Sequence, residues 1–205
     1  MDDRAVLIGD FVRSRGAGAD ALAAGFDRLG TAAAEIARWQ AADPRLTRFR
    51  GDGWQMLLIR PALALRAALL VRADLRAADL PPTRIAIGLG PVAFEGSADL
   101  SDADGPAFHR AGAALDAMPR GRQLALAAEG ALPLLPAAAI LLDALSERWT
   151  VAQAEAVALS LPPDAPRQTD LADRLGIRQQ SLADRLDAAG FPAIRAALDT
   201  IEAGA

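Results

Sequence analysis

Ala5-Val6-Leu7-Ile8-Gly9-Asp10 is the stretch that decides the fold. Four apolar residues run without a break and stop at a glycine and an acid. So short an apolar run predicts a strand buried on both faces, with a carboxylate at its C-terminal end. Downstream, residues 18–42 carry Leu22, Phe26, Leu29, Ala33, Ile36 and Ala37 on one helical face. Leu46 to Arg50 and Trp54 to Ile59 read as two short strands around Gly51-Asp52-Gly53, a hairpin signal. Pro61 suits the first turn of a helix that runs to about Asp79 and stops at Pro81-Pro82. Arg84 to Leu89 alternates large and small side chains with period two, which predicts a strand. After an acidic loop at 95–105, Ala107 to Met118 reads as a helix and Gln123 to Ala127 as the last strand. Strand-helix-strand-strand-helix-strand is the split βαβ, ferredoxin-like order, so the expected class is α/β (α+β).

The second half has no strand signal. Thr150 and Gln153 form a capping box opening a helix to about Leu161. Pro162, Pro163 and Pro166 make a stiff connector. Thr169 to Leu175 and Gln179 to Ala189 are two helices joined at Gly176. A last amphipathic helix carries Ile194, Leu198 and Ile201. The expected division is an α/β domain over 1–130, a connecting helix over 131–149 and an all-α helix-turn-helix domain over 150–205.

Composition narrows the chemistry. The chain has 205 residues, is 52% hydrophobic and has no cysteine, which excludes disulfides and thiolate metal sites and fits a cytoplasmic protein. It contains no lysine and no asparagine, so a Schiff-base lysine or a Walker A loop is excluded. A net charge of −4 makes the whole molecule a poor attractor for nucleic acid or acidic lipid. No apolar stretch reaches the ~18 residues of a membrane span, and the N-terminal apolar run is too short for a signal peptide and has acids in front of it.

Two acids merit pairing. In a ferredoxin-like order the first strand lies antiparallel beside the second strand of the hairpin, so Asp10 should meet the Gly51-Asp52-Gly53 turn. Neighbouring strands are about 4.8 Å apart, and adjacent carboxylates repel unless a cation lies between them. Asp10 and Asp52 are therefore candidate ligands for Mg²⁺ carrying a nucleotide phosphate. The backbone amides of Phe11, Val12, Arg13 and Ser14 are candidates for the phosphate itself, on the expectation that they open the long helix.

At these residues the chain resembles the class III nucleotidyl cyclases. Ile8-Gly9-Asp10-Phe11-Val12-Arg13-Ser14 is similar to that family's first metal strand and Gly51-Asp52-Gly53 to its second. Arg84 to Gly90 is similar to its next core strand, and Gly105-Pro106-Ala107-Phe108-His109 to the start of the following helix. The resemblance spans about residues 4–128 and implies a cyclase-type palm. It departs where the chemistry is done: His109 stands at the family's transition-state Asn and Ala113 at its Arg. Losing such donors costs about 10²–10³-fold each, so no catalytic residue is assigned. The chain also resembles the SatD family of bacterial proteins, often labelled MarR-like regulators, over nearly its whole length. The shared residues are Ile8-Gly9-Asp10 with Ser14-Arg15, Gly51-Asp52 with Gln55, Asp104-Gly105-Pro106-Ala107 and a C-terminal helix-turn-helix. That resemblance implies a regulator.

The helix-turn-helix lies over Thr169 to Leu186. Leu171, Leu175, Ile177, Leu182 and Leu186 should form its core, with small Ala172 where the helices cross. Arg178, Gln179, Gln180, Ser181 and Arg185 should face a major groove. Charge argues the other way, because Ser146 to Ala205 holds six arginines against nine acids. The expectation is a DNA-binding homodimer with a degenerate cyclase-like domain for sensing or dimerisation. The alternatives are a Mg²⁺-dependent nucleotidyl transferase or nucleotide hydrolase using Asp10 and Asp52, and a protein-interaction scaffold.

Overall fold

The computed structural model describes residues 3–12, 16, 18–49, 51–129 and 134–204. It is a mixed α/β structure around one five-stranded sheet: β1 (Asp3–Phe11), β2 (Thr47–Phe49), β3 (Gly53–Leu58), β4 (Thr83–Pro91) and β5 (Leu124–Ala127). The strand order is β2-β3-β1-β4-β5. β1 pairs antiparallel with β3 and β4, β2 pairs antiparallel with β3, and only β5 runs parallel to its neighbour β4. The apolar run that opens the chain is thus the central strand, flanked on both sides.

Successive residues of β1 feed opposite faces. Ala5 and Leu7 join Trp54, Met56, Leu58, Ile85 and Ile87 in the larger core. Val6 joins Leu57, Leu100, Ala107, Phe108 and Ala111 in a smaller one, beneath α3 (Pro106–Asp116). The larger core is covered by α1 (Ala19–Gln40) and α2 (Ala64–Ala77). Pro61 opens a separate 3₁₀ turn, Pro61–Leu63, and α2 starts after it.

α2 is the spine of the molecule. Every residue from Ala64 to Ala73 is buried, as expected of a helix covered on all sides. The sheet lies on one side of it. On the other lie α4 (Leu134–Ser146) and α5 (Val151–Ser160). α6 (Gln168–Arg174), α7 (Gln179–Ala188) and α8 (Phe191–Ala203) complete the chain, and α7 packs on α5. Leu7 of the sheet and Leu182, Leu186 and Leu198 of the last helices belong to one continuous core. No apolar gap separates the first 130 residues from the last 55.

Arginines on α2 fix that join. Arg66 is 1% exposed, and its guanidinium donates to Asp199 (2.7 Å), to Glu202 (2.6 and 3.0 Å) and to the Leu161 carbonyl (2.7 Å). Arg72 donates to Asp143 of α4 at 2.8 Å, and the other Asp143 oxygen accepts the Gln123 amide at 3.1 Å. Arg76 donates to the Trp149 carbonyl at 2.9 Å. Burial pulls Arg72 below its usual value, opposed by the neighbouring Asp143 carboxylate. Among the described residues, no helix is long and apolar enough to cross a membrane.

Candidate functional site

Asp10 lies at the end of β1, opposite Gly53 on one side and Arg84 on the other. The hairpin turn does meet the end of β1: the Phe11 amide donates to the Asp52 carbonyl at 3.2 Å. The approach is tight enough to dictate Gly9. A Cβ there would lie 2.5 Å from the Arg84 carbonyl oxygen and 2.5 Å from the Trp54 ring, closer than any side chain tolerates. Trp54 is itself anchored, its Nε1 donating to Thr83 Oγ1 at 2.9 Å, and that hydroxyl bonds the Asp10 carbonyl at 2.8 Å.

The cation beside Asp10 comes from the protein. Arg84 Nε donates to Asp10 Oδ1 at 2.8 Å, and Nη2 bonds Oδ2, a bidentate ion pair. The hydrogen bonds to Asp10 hold Arg84 above its usual value, and the charges of Asp10, Asp116 and Asp52 add to this. Arg84 thereby offsets the Asp10 charge, and each Asp10 oxygen accepts one hydrogen bond. As arranged, Asp10 is paired with Arg84, and among the described residues no three acids or histidines converge on a metal-sized site.

Two of the four amides expected to hold a phosphate already have partners. Phe11 ends β1 rather than opening a helix, since α1 begins eight residues later at Ala19. Its amide is used by Asp52, and the Val12 amide donates to the Pro82 carbonyl at 2.8 Å. Arg13 and Ser14 lie outside the described residues. His109 sits exposed on α3, 2.9 Å from Asp104, and Ala113 is exposed one turn later. Sequence reasoning expected a metal at this strand end and missed Arg84 as the counter-ion. The signal was available, because an arginine at the start of the adjacent strand points to the same face as Asp10.

The second candidate surface is the α6–α7 pair. α6 and α7 are joined by residues 175–178, where Gly176 adopts φ +64°. The Gly176 amide donates to Asp173 and the Ile177 amide to Ala172, closing the turn. Leu171, Ala172, Leu182 and Leu186 are buried, with Leu175 and Ile177 packed against them. This orients α7 with two leucines inward, leaving Arg178, Gln179, Gln180, Ser181 and Asp184 exposed on its outer surface. Gln180 bonds Asp184 at 2.8 Å. Arg185 departs from the expectation: Nη1 is 3.2 Å from Glu155 of α5, so it is turned inward and half-buried. The side chains of Arg178, Gln179 and Ser181 make no hydrogen bond or ion pair among the described residues.

No protein-family model matches the chain, and no curated protein matches it.

Proposed function

We propose that the protein is a DNA-binding regulator whose α6–α7 pair is a helix-turn-helix and whose first 130 residues are a ferredoxin-like, cyclase-type palm without catalytic activity. The observation that carries this reading is the surface of α7. Arg178, Gln179, Gln180 and Ser181 are consecutive, exposed and at the start of a helix whose other face is locked in the core. Those side-chain types can bond base edges, and the first residues of a second helix are the ones that enter a major groove. The antiparallel order β2-β3-β1-β4 supports the palm. The Arg84–Asp10 pair supports a reading without metal-dependent turnover, since a cation already offsets the Asp10 charge. A homodimer completes the reading by giving two half-sites on a symmetric operator.

The test is selection from a random duplex library at low salt, followed by titration of the enriched duplex. The expected result is sequence-selective binding that weakens as salt rises. Gln179→Ala should cost about 1–3 kcal/mol of discrimination at one base position. Its unfolding free energy should move by no more than about 0.5 kcal/mol. A library that returns no preferred sequence overturns the proposal.

A further inference from the structure

A cleft of about 600 Å³ lies between α1, the end of α2, α5 and the proline-rich connector into α6. That volume is within the range of small-molecule sites. Its acids and bases fall into three classes. Asp164 and Arg174 are exposed to solvent. Glu35 is occupied by Arg38 and by Trp39 Nε1 (2.8 Å), and Glu155 by Arg185. Arg28 and Asp74 are different. Among the described residues neither side chain makes a hydrogen bond or an ion pair, and Arg28 Nε is shut off from solvent without an acceptor. They are too far apart for a 4.0 Å ion pair, yet near enough for the Arg28 charge to draw on the Asp74 carboxyl. Burial wins that contest and holds the Asp74 carboxyl above its usual value.

Two half-buried charges of opposite sign that face one cleft and do not meet are costly. They invite a ligand that carries both counter-charges close together. Leu70, Leu159 and Leu175, from α2, α5 and the end of α6, give the cleft an apolar portion beside Thr31, Asp164 and Arg174. We propose that this cleft binds a free α-amino acid with a branched or aromatic apolar side chain, its carboxylate on Arg28 and its ammonium on Asp74. An α-amino acid bears both charges on neighbouring atoms, so it bridges a gap too wide for the two side chains to close directly. Its side chain rests against the three leucines. The site joins α1 and α2 to the helices that carry the α6–α7 pair, and it stands whether or not that pair meets DNA.

The experiment is calorimetric titration and thermal unfolding of the full chain with L-leucine and L-phenylalanine. The controls are isopentylamine, which lacks the carboxylate, and 4-methylpentanoate, which lacks the ammonium. At least one of the two amino acids should bind and, near saturation, raise the melting temperature by about several degrees. Neither control should do so. Arg28→Gln and Asp74→Asn should each weaken binding by about tenfold or more, while both variants stay folded because neither residue holds a partner. Failure of both amino acids to bind at millimolar concentration overturns the proposal. So does equal binding of a control, or undiminished binding by Arg28→Gln.

Discussion

The arginines of α2 and those of the α6–α7 pair are the same side chain put to opposite uses. Arg66 and Arg72 are 1% and 7% exposed, as buried as the leucines beside them, and each charge is answered by an acid from a distant helix. Arg167, Arg174 and Arg178 are exposed, and their side chains make no ion pair or hydrogen bond among the described residues. The difference changes how the charge of the last sixty residues should be counted. Two of the nine acids there, the exposed Asp199 and the largely buried Glu202, pair with Arg66, which lies outside that segment. That segment therefore spends part of its acidity on the spine and, with Arg148, keeps four exposed arginines whose side chains make no ion pair or hydrogen bond among the described residues. Asp170, Asp173, Asp184 and Asp187 remain exposed with them, so the outer surface is mixed rather than basic. Any DNA affinity would then rest on base contacts and on two half-sites more than on phosphate attraction.

The sharpest way to break this contrast is to remove one partner on the buried side. Asp143→Ala leaves Arg72 charged and enclosed, and it orphans the Gln123 amide. The expected loss is about 3–5 kcal/mol, because an uncompensated buried charge costs more than the pair contributes. Urea unfolding measures it. The double variant Arg72→Met with Asp143→Leu should recover most of the loss, since an apolar pair of similar size asks for no counter-charge. A loss below about 1 kcal/mol in the single variant would mean that Arg72 finds water or another acid. The division between buried and free arginines would then fail.

Glu202→Gln should be milder. Glu202 keeps 16% of its side chain exposed, and Arg66 retains Asp199 and the Leu161 carbonyl. The expected cost is about 1–2 kcal/mol, the scale of one charge-assisted hydrogen bond, again by urea unfolding. A cost as large as that of Asp143→Ala would place the whole weight of the helical join on α8.

How much of this could be read from the sequence depends on how far apart the partners lie. The Thr150–Gln153 capping box is legible because its residues are three apart, and both of its hydrogen bonds are present. The leucines of α6 and α7 are legible for the same reason: helical spacing alone puts Leu182 and Leu186 on one face. Asp10 facing the hairpin turn is legible from strand order. The bonds of α2 are not. Arg72 and Asp143 are 71 residues apart, and Arg66 and Asp199 are 133 apart. No local pattern announces that an arginine within an apolar helix has a partner there. Arg185 is the same failure in reverse, since helical spacing sets it outward until Glu155, 30 residues earlier, draws it back. At the carboxylate site the counter-ion was legible too, since strand pairing sets Arg84 opposite Asp10, but it was passed over for a metal. A sequence cannot tell whether the Phe11 and Val12 amides are already spent on Asp52 and Pro82.

The smallest effect carries the opposite sign, and for that reason it sharpens the comparison most. Asp74 is a half-buried carboxylate that, unlike Asp143, holds no hydrogen bond or ion pair among the described residues. Burial raises its carboxyl above the ordinary 3.8. Between 3.8 and that higher folded value, the folded chain holds a proton that the unfolded chain releases. Stability must therefore fall as pH rises through this window, and the penalty stays at its full size above it. Asp74→Asn removes the titrating group. The variant should be more stable than the parent at neutral pH, and the advantage should fade as pH drops toward 3.8 and be gone below it. Unfolding midpoints of the two proteins across pH, compared as a difference, isolate this group from every other carboxylate. The same kind of change, an acid replaced by a neutral residue, is thus expected to destabilise at Asp143 and to stabilise at Asp74. If Asp74→Asn instead destabilises at neutral pH, Asp74 has a partner in solution, and the cleft is held by a closed ion pair rather than by two charges waiting for a ligand.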